Sequence, residues 1–576
     1  MTSRLRTLHP SRSPLGVLIL VALVYLITLL LIEHRSFWII DNQIKFLQVE
    51  QILRSGFRDF SLPWPGADID PQLTYQPMVF PFYAEDAGKL YAAYSPVFPT
   101  LAAGLVSAFG SWGLYVLPLA GSILALFGLA RLGTQLGLSP RAQSWAVLIA
   151  GLLGPLWFYS AIFWEHNLAV CAAVWGVAFL VQFLRSARWR HLVAGSALTA
   201  SGVYLRDDLY VFCAAVVVLL FVRSSRDRWA TAVVMGATMV ASLAPLWLFQ
   251  WKTIGQPFGF HLGVHLFDFP GLSQHFTDRP VVLYRLFARC SSSPWSSLAL
   301  AAPFLAAFVA RPRLSERAFQ RMIPMAALVA VISFFFIVQG YFTADSPLRW
   351  MLKANSLFAV SPILIVAFLR LQEPTDRSER APSEASFLGP LALSYAVLYG
   401  LASPLDATEG IHWGNRLMLV LYPIFAVMAA ANLDRWASVE SDGRQRERQW
   451  AKLAIGLTVA VSFTAQAYSI LLLDRKQDFT YRLNQTVAAR PEPAILTDVW
   501  WAPLELYSQF YEKPIFLVRP RKQVNDLFSR LRRAGIHACL FVTVSDRKTS
   551  LPPVATVDDG GIHFFSLKLL RIELAP

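Results

Sequence analysis

Apolar residues in this chain run in long blocks rather than in the short alternations of a soluble fold. Stretches of about 20 apolar residues, the length that crosses a bilayer, recur near residues 14–33, 113–130, 142–160, 166–184, 191–205, 208–222, 229–250, 294–310, 320–340, 350–370, 387–403, 414–431 and 451–473. The pattern predicts about thirteen membrane spans. A shorter apolar stretch, 96–109, reads either as a partial span or as a helix lying in the interface. Beyond the last span the pattern turns soluble. AILTDV, PIFLV and ACLFVTV have the character of short strands, with helices over LELYSQFY and QVNDLFSRLRRAG. Gly535 is placed to cap the second helix, and residues 552–572 suggest a hairpin around Asp559-Gly560-Gly561. The predicted architecture is therefore an α-helical polytopic membrane bundle over residues 1–475, followed by a small α/β domain over 476–576. Two loops between spans are long, 34–95 and 251–293, and long loops tend to carry function. No internal repeat is visible, which gives inverted-repeat transporter architectures no support.

Charge gives the bundle an orientation. The first apolar run follows Arg4, Arg6 and Arg12 and lacks a small-residue cleavage site, so it reads as an uncleaved first helix with a cytoplasmic N-terminus. The loops then expected inside, 131–141, 185–190, 223–228, 311–321, 370–380 and 435–452, are all rich in arginine. The short loops expected outside, 157–165, 206–207 and 404–413, carry almost no Lys or Arg besides Arg206. This alternation satisfies the positive-inside rule throughout. It predicts a multi-pass protein of the inner (plasma) membrane with an extracytoplasmic C-terminal domain. Composition agrees: 55% of residues are hydrophobic and only 15% charged, against roughly 25% charged in an ordinary soluble domain. The net charge of +14 is distributed as topology signals, so nucleic acid is not an expected partner. The four cysteines, Cys171, Cys213, Cys290 and Cys539, are widely spaced and suggest neither a disulfide framework nor a metal site.

Several polar residues stand at the edges of the apolar runs. Asp41 opens FWIIDNQIKFLQVEQILRSGF, where Ile44, Leu47, Ile52 and Leu53 alternate with Lys45, Gln48, Glu50 and Gln51 in a helical pattern. Asp41 can cap that helix, since a carboxylate there accepts orphan N–H groups, or it can be a catalytic carboxylate held at the membrane surface. Glu85 and Asp86, in FYAEDAGK, are candidates for a second acid or form a polar turn before Gly88. Glu165 and His166 follow the aromatic run WFYSAIFWEHN at the start of a span. They bind substrate or tune a proton, or they are simply a helix N-terminus. Arg206, with Asp207 and Asp208, stands where two spans meet, as a structural ion pair or a binding group. Arg416, Arg349 and Lys353 are cations near predicted span ends. His261, His265 and His275 are too loosely spaced for a metal site. No Walker loop, GxGxxG or HExxH occurs, and Asn484-Gln485-Thr486 matches the glycosylation triplet.

A first span followed by an acid that opens an amphipathic helix resembles the membrane glycosyltransferases of the GT-C superfamily, which include protein O-mannosyltransferases and the lipid A aminoarabinose transferase. Further segments are similar in order: KLYAAYSPVFPTLAAGLVSAFG (89–110), ARLGTQLGLSPRAQSWAVLIAGLLGP (130–155), YLRDDLY (204–210), WKTIGQPFGF (251–260) and GIHWGNRLMLVLYPIF (410–425). The family's usual pair at the first site is Asp-Glu; here it is Asp41-Asn42, which leaves one carboxylate. The resemblance implies a GT-C bundle that takes a sugar from a polyprenyl-phosphate donor and gives it to a hydroxyl on a glycan, lipid or protein acceptor, with membrane lipids as surroundings. It implies that Asp41 is the general base or an acceptor-orienting group, with Glu85 or Asp86 as a second catalytic acid. Lys45, Tyr94, Glu165, His166, Arg206, Arg349, Lys353 and Arg416 are the substrate-binding candidates. Arg416 is the preferred phosphate contact, because a guanidinium fork matches a phosphate. No cofactor is implied with certainty, and a divalent metal stays an open alternative without assigned ligands. The competing readings are a transporter or flippase of a lipid-linked or small solute, and a non-catalytic membrane scaffold. Charges gather at span ends rather than at midspan, where each would cost roughly 2.5–3.5 kcal/mol. That pattern favours chemistry at one interface.

Overall fold

The computed structural model describes residues 14–224, 227–263, 272–290, 314–343, 356–369, 387–403, 410–438, 445–518, 524–544, 555–564 and 567–574. Among the described residues helices predominate, with a small sheet region. In chain order its helices are α1 (Pro14–Leu31), α2 (Ile40–Arg54), α3 (Val97–Phe109), α4 (Gly113–Gln135), α5 (Pro140–Leu152), α6 (Leu156–Ser160), α7 (His166–Ser186), α8 (Trp189–Ser201), α9 (Leu209–Arg223) and α10 (Arg228–Ile254). There follow α11 (Phe260–Gly263), α12 (Leu272–Phe287), α13 (Glu316–Thr343), α14 (Leu357–Val360), α15 (Leu388–Ala402), α16 (Leu421–Ser438), α17 (Gln445–Ala488), α18 (Ala502–Glu505) and α19 (Val524–Arg533). The strands are β1 (Tyr83–Asp86), β2 (Lys89–Ala92), β3 (Ile495–Thr497), β4 (Ile515–Leu517), β5 (Ala538–Val544), β6 (Ala555–Phe564) and β7 (Leu567–Leu574).

Among the described residues, six helical stretches are long and apolar enough to cross a membrane, by length and composition: Pro14–Leu31, Val97–Gln135, His166–Ser186, Arg228–Ile254, Glu316–Phe336 and Gln445–Ala488. Two shorter apolar helices, Leu209–Arg223 and Leu388–Ala402, accompany them. Some expected spans are interrupted. The 142–160 run is α5 and α6, parted at Gly154-Pro155, where the backbone entropy of a glycine adds to the N–H that the proline lacks. The described part of 350–370 is α14 and a 3-10 stretch beginning at Pro362. The expected span 294–310 lies outside the described residues. The 96–109 stretch is α3, which passes through a tight turn into α4. A Cβ on Gly113 would sit 2.4 Å from the Leu105 carbonyl, so only glycine fits that close approach.

Residues cluster into two compact units. The first comprises Met1–Ile32, Tyr115–Leu246 and Phe267–Leu471. In it α1 buries Leu18, Val21, Tyr25 and Leu29 while Leu15, Ile19, Leu30 and Leu31 are exposed, as suits a helix with one face to protein and one to lipid. Polar side chains stitch helix to helix: Tyr25 Oη donates to the Gly151 carbonyl at 2.7 Å, Trp157 Nε1 to Thr28 Oγ1 at 2.9 Å, and Asn167 Nδ2 to the Leu156 carbonyl at 2.8 Å. Helices α7 and α8 meet at small residues. A Cβ on Gly176 would lie 2.3 Å from Thr199 Oγ1, and one on Gly195 2.7 Å from Leu180, the close backbone approach typical of membrane helices.

The second unit comprises Glu33–Leu114, Trp247–Leu266 and Leu472–Pro576. Its five-stranded sheet has the order β4-β3-β5-β7-β6, with β4, β3 and β5 parallel and β5, β7 and β6 antiparallel. The three strands expected from AILTDV, PIFLV and ACLFVTV are β3, β4 and β5. The closing hairpin is present as β6 and β7, but Asp559-Gly560-Gly561 is not its turn. Those residues lie inside β6, at the register shift between Asp558 and Ile562. Gly535 follows α19 at φ +77°, the left-handed cap expected there. The segment before the β1–β2 hairpin covers the β4 edge of the sheet. Leu517 N–H donates to the Tyr75 carbonyl at 2.9 Å, Trp64 Nε1 donates to the Ile515 carbonyl at 3.1 Å, and Arg530 pairs with the buried Asp70 at 2.9 Å. An edge strand's exposed hydrogen-bonding groups are thereby satisfied. Helix α17, 44 residues long, runs through the expected domain boundary at 475/476 without a break.

Candidate functional site

In the second unit, Asp41 stands in the first turn of α2 and is 3% exposed. It is not the N-cap, as the sequence allowed. That position is Ile39, whose N–H donates to Asn42 Oδ1 at 3.2 Å, while Asn42 N–H donates back to the Ile39 carbonyl at 2.8 Å. Asn42 thus does the capping. Asp41 Oδ1 instead accepts from the Tyr94 hydroxyl at 2.9 Å. One helical turn on, Lys45, 2% exposed, places its ammonium 3.8 Å from the centre of the Tyr94 ring. The imidazole of His261, on α11, lies 5.3 Å from the same ring. Three sequence candidates, Asp41, Lys45 and Tyr94, are therefore one constellation. Asp41 thus presents a buried carboxylate in the first helical turn, with a phenol donor on one oxygen. Such a group can accept a proton from a hydroxyl that reaches it.

Glu85 and Asp86 are exposed on the β1–β2 hairpin, opposite Leu90 and Lys89. Ala87 and Gly88 turn it with φ of +49° and +73°, so FYAEDAGK forms a polar turn.

In the first unit, four candidates from three segments come together. His166, 1% exposed, stacks on Tyr159 with ring centres 5.2 Å apart and packs against Trp164 at 4.1 Å. Glu165 lies 3.7 Å from His166 Nδ1, and His166 Nε2 is bonded to the Arg206 guanidinium. Arg206 Nε donates to Asp208 at 2.7 Å. Burial works against the charge of Arg206, but Asp208 and Glu165 more than offset it and keep the guanidinium protonated. Arg416 lies over the Trp164 ring at 5.2 Å. The turn that delivers it has φ of +66° at Gly414 and +43° at Asn415, and a Cβ on Gly414 would meet Val360 at 2.7 Å. Asn415 Oδ1 then accepts from Leu417 N–H at 3.1 Å, which starts the next helical turn. The result is two guanidinium groups around an aromatic box of Tyr159, Trp164 and His166, a setting suited to an anionic group with an apolar attachment.

Arg349, Lys353 and His265 lie outside the described residues. Asn484, of the glycosylation triplet, is buried in α17 and donates to the carbonyls of Thr480 and Glu505, so its amide has a structural role. All four cysteines are buried. Among the described residues no group of three or more His, Cys, Asp or Glu is gathered as a metal site would be. The sequence reading missed the aromatic box. Its signal was the density of WFYSAIFW just before Glu165.

No protein-family model matches the sequence, and neither does any curated protein. Among solved structures the chain is similar to ArnT from Cupriavidus metallidurans in the apo state, at 12% identity over 97% of this chain and 98% of that one, with a TM-score of 0.53. It is similar also to the same protein bound to undecaprenyl phosphate, at 11% identity over 96% and 97%, with a TM-score of 0.51. The archaeal oligosaccharyltransferase AglB from Archaeoglobus fulgidus, in complex with an inhibitory peptide and a dolichol-phosphate, aligns at 12% identity over 92% of this chain and 69% of that one, with a TM-score of 0.48. At these identities the likeness is one of fold. With its spanning helices and its small sheet region, the chain has the fold of the GT-C membrane glycosyltransferases.

Proposed function

We propose that the chain is a membrane glycosyltransferase that moves a sugar from a polyprenyl-phosphate donor to an acceptor hydroxyl on the outer face of the cytoplasmic membrane. The observation that carries this reading is the buried carboxylate of Asp41, held by the Tyr94 hydroxyl above Lys45, in a fold shared with a protein crystallised with undecaprenyl phosphate. In the reaction the acceptor oxygen attacks the anomeric carbon and its proton passes to Asp41. The bond from that carbon to the phosphate oxygen breaks, and the lipid phosphate leaves with the electron pair. A phosphate needs cations rather than an acid as it leaves. Within the first unit taken by itself, Arg206 and Arg416, with Trp164 and Tyr159 beside them, are our candidates for binding a lipid phosphate. Glu165 and His166 hold Arg206 in place. In this reading the loop arginines put the N-terminus in the cytoplasm and residues 476–576 outside.

The test is sugar transfer in membranes, with a panel of short-chain polyprenyl-phosphate sugars as donors and envelope lipids, glycans and peptides as acceptors, read by mass spectrometry of the product. The expected result is a new glycosidic product that is lost in Asp41→Asn. Full activity in that variant would remove Asp41 as the base. Movement of the intact donor across sealed vesicles without a new glycosidic bond would favour the transporter reading instead.

A further inference from the structure

Below Asp41, a second polar cluster is buried on the opposite side of α2. Glu505, on α18, is 4% exposed, and its carboxylate accepts from Lys476 Nζ at 2.9 Å, Thr480 Oγ1 at 2.8 Å and Gln43 Nε2 at 3.0 Å. Lys476 and Thr480 belong to α17, and Lys476, Thr480 and Gln43 are 3%, 0% and 0% exposed. Asn484 adds a bond from α17 to the Glu505 backbone carbonyl at 2.7 Å. Three elements thus meet on one carboxylate, and the one distant from the others in sequence is the helix that carries Asp41.

Helix geometry says what this does. At about 100° per residue, Gln43 points roughly 200° away from Asp41, whereas Lys45 returns to within about 40° of it. Asp41 and Lys45 therefore face Tyr94, and Gln43 faces Glu505. The stripe below Gln43 is held by the same C-terminal segment. Phe46 packs on Tyr507 with ring centres 5.5 Å apart, and Tyr511 Oη donates to the Leu47 carbonyl at 2.9 Å. A buried carboxylate is costly unless paired and hydrogen-bonded. Glu505 meets that condition only while Lys476, Thr480 and Gln43 keep this one arrangement. Exposed pairs such as Arg54–Glu512, at 3.7 Å and 50% and 64% exposed, impose no such constraint.

We propose that Glu505, with Lys476, is a positioning device: through Gln43 the C-terminal segment fixes the rotation and height of α2, and so sets where the Asp41 carboxylate is presented. The consequence for turnover rests on the glycosyltransferase reading above; the grip on α2 does not. A misplacement of about 1 Å costs on the order of 100-fold in rate, so a small loosening has a large effect on kcat and little on donor affinity.

The experiment uses the full-length protein in detergent or nanodiscs. Gln43→Leu removes the link and leaves Glu505 paired with Lys476. Lys476→Met/Glu505→Leu removes the whole cluster without stranding a charge. Hydrogen exchange by mass spectrometry over residues 40–47 is compared with exchange over α19, and kcat and donor KM are measured for transfer. We expect faster exchange over 40–47 in both variants, unchanged exchange over α19, and a kcat lower by about 10- to 100-fold at constant donor KM. Glu512→Ala serves as the control and leaves both readouts as in the wild type. Unchanged exchange over 40–47 in a folded Gln43→Leu protein overturns the grip. Faster exchange with unchanged kcat overturns the positioning role. If instead the wild type transfers no sugar, or Asp41→Asn is fully active, the proposed function fails while the exchange data still decide the grip.

Discussion

The bond between Tyr94 and Asp41 can be tested by removing one atom. Tyr94→Phe deletes the hydroxyl that donates to Asp41 at 2.9 Å and leaves the ring, whose centre lies 3.8 Å from Lys45 Nζ. A hydrogen bond to a charged group contributes about 1.5–3 kcal/mol. At about 1.4 kcal/mol per tenfold in rate, that is roughly 10- to 150-fold in kcat if the bond holds the carboxylate where the acceptor meets it. Tyr94→Ala also removes the cation–π contact, about 0.5–2 kcal/mol, and so slows transfer a further 2- to 30-fold by the same conversion. The assay is steady-state transfer from a polyprenyl-phosphate sugar at saturating acceptor, with a thermal melt run beside it to confirm folding. Transfer by Tyr94→Phe within about twofold of the wild type would refute the reasoning, since the bond would then hold the apo side chain without serving the reaction.

Arg416→Lys keeps a charge but loses the planar fork over Trp164. Donor KM should rise about tenfold with the melting temperature unchanged, and an unaltered KM would reject Arg416 as a phosphate contact. Asp208→Asn leaves Arg206 buried and charged with its nearest carboxylate gone, in a pair whose side chains are 12% and 8% exposed. Loss of one member of such a pair costs about 3–5 kcal/mol, so a thermal melt should show clear destabilisation, and an unchanged midpoint would show that Arg206 is compensated elsewhere. Burial raises the pKa of Glu50, Arg54 lowers it and Glu512 raises it, for a net rise. A carboxyl raised on folding binds its proton more readily in the native state. Stability therefore falls as pH climbs from about the unfolded value of 4.5 to the raised folded one, and stays lower above it. Glu50→Gln should flatten stability against pH across that window; an identical pH dependence would assign the effect to another group.

Much of the bundle was legible because hydropathy depends on residue type alone. The limits of that signal are specific. Gly154-Pro155 and Pro362 sit inside apolar windows that a hydropathy sum reads as continuous, yet the helix stops at each, while Pro118, Pro245 and Pro324 stay inside α4, α10 and α13; whether a missing N–H ends a helix is a matter of backbone bonding and packing and not of polarity. The hairpin at the C-terminus shows the same gap. Asp559-Gly560-Gly561 has the permissive backbone that a tight turn needs, but a bulge needs it as well. Which one forms depends on pairing with β7 and, through β7, with β5, and that pairing is not encoded within the segment.

The candidate site divides along the same line. Glu165, His166, Arg206 and Arg416 could each be picked out as ionisable groups at the edge of an apolar run, where desolvation makes them costly to keep without a role. Their meeting around Trp164 and Tyr159 depends on helix packing and was not readable. Asn42 is the sharper case. Against the family's Asp-Glu pair it looked like a lost carboxylate. In the structure its amide oxygen takes the N–H of Ile39 and closes the first turn of α2. A short amide side chain three residues past the cap can do this without adding a second negative charge beside Asp41. With the cap supplied by Asn42, the carboxylate of Asp41 is directed to Tyr94 instead of the helix end. On the proposed function, this departure from the pattern of the resemblance leaves Asp41 as the single acid of that turn, without a neighbour to share or repel the proton. It follows that Asn42→Glu, which restores the family's pair, should not raise activity: it places a second carboxylate in the same buried turn, and a gain in kcat on that substitution would show that the pair, and not the single acid, is the working unit.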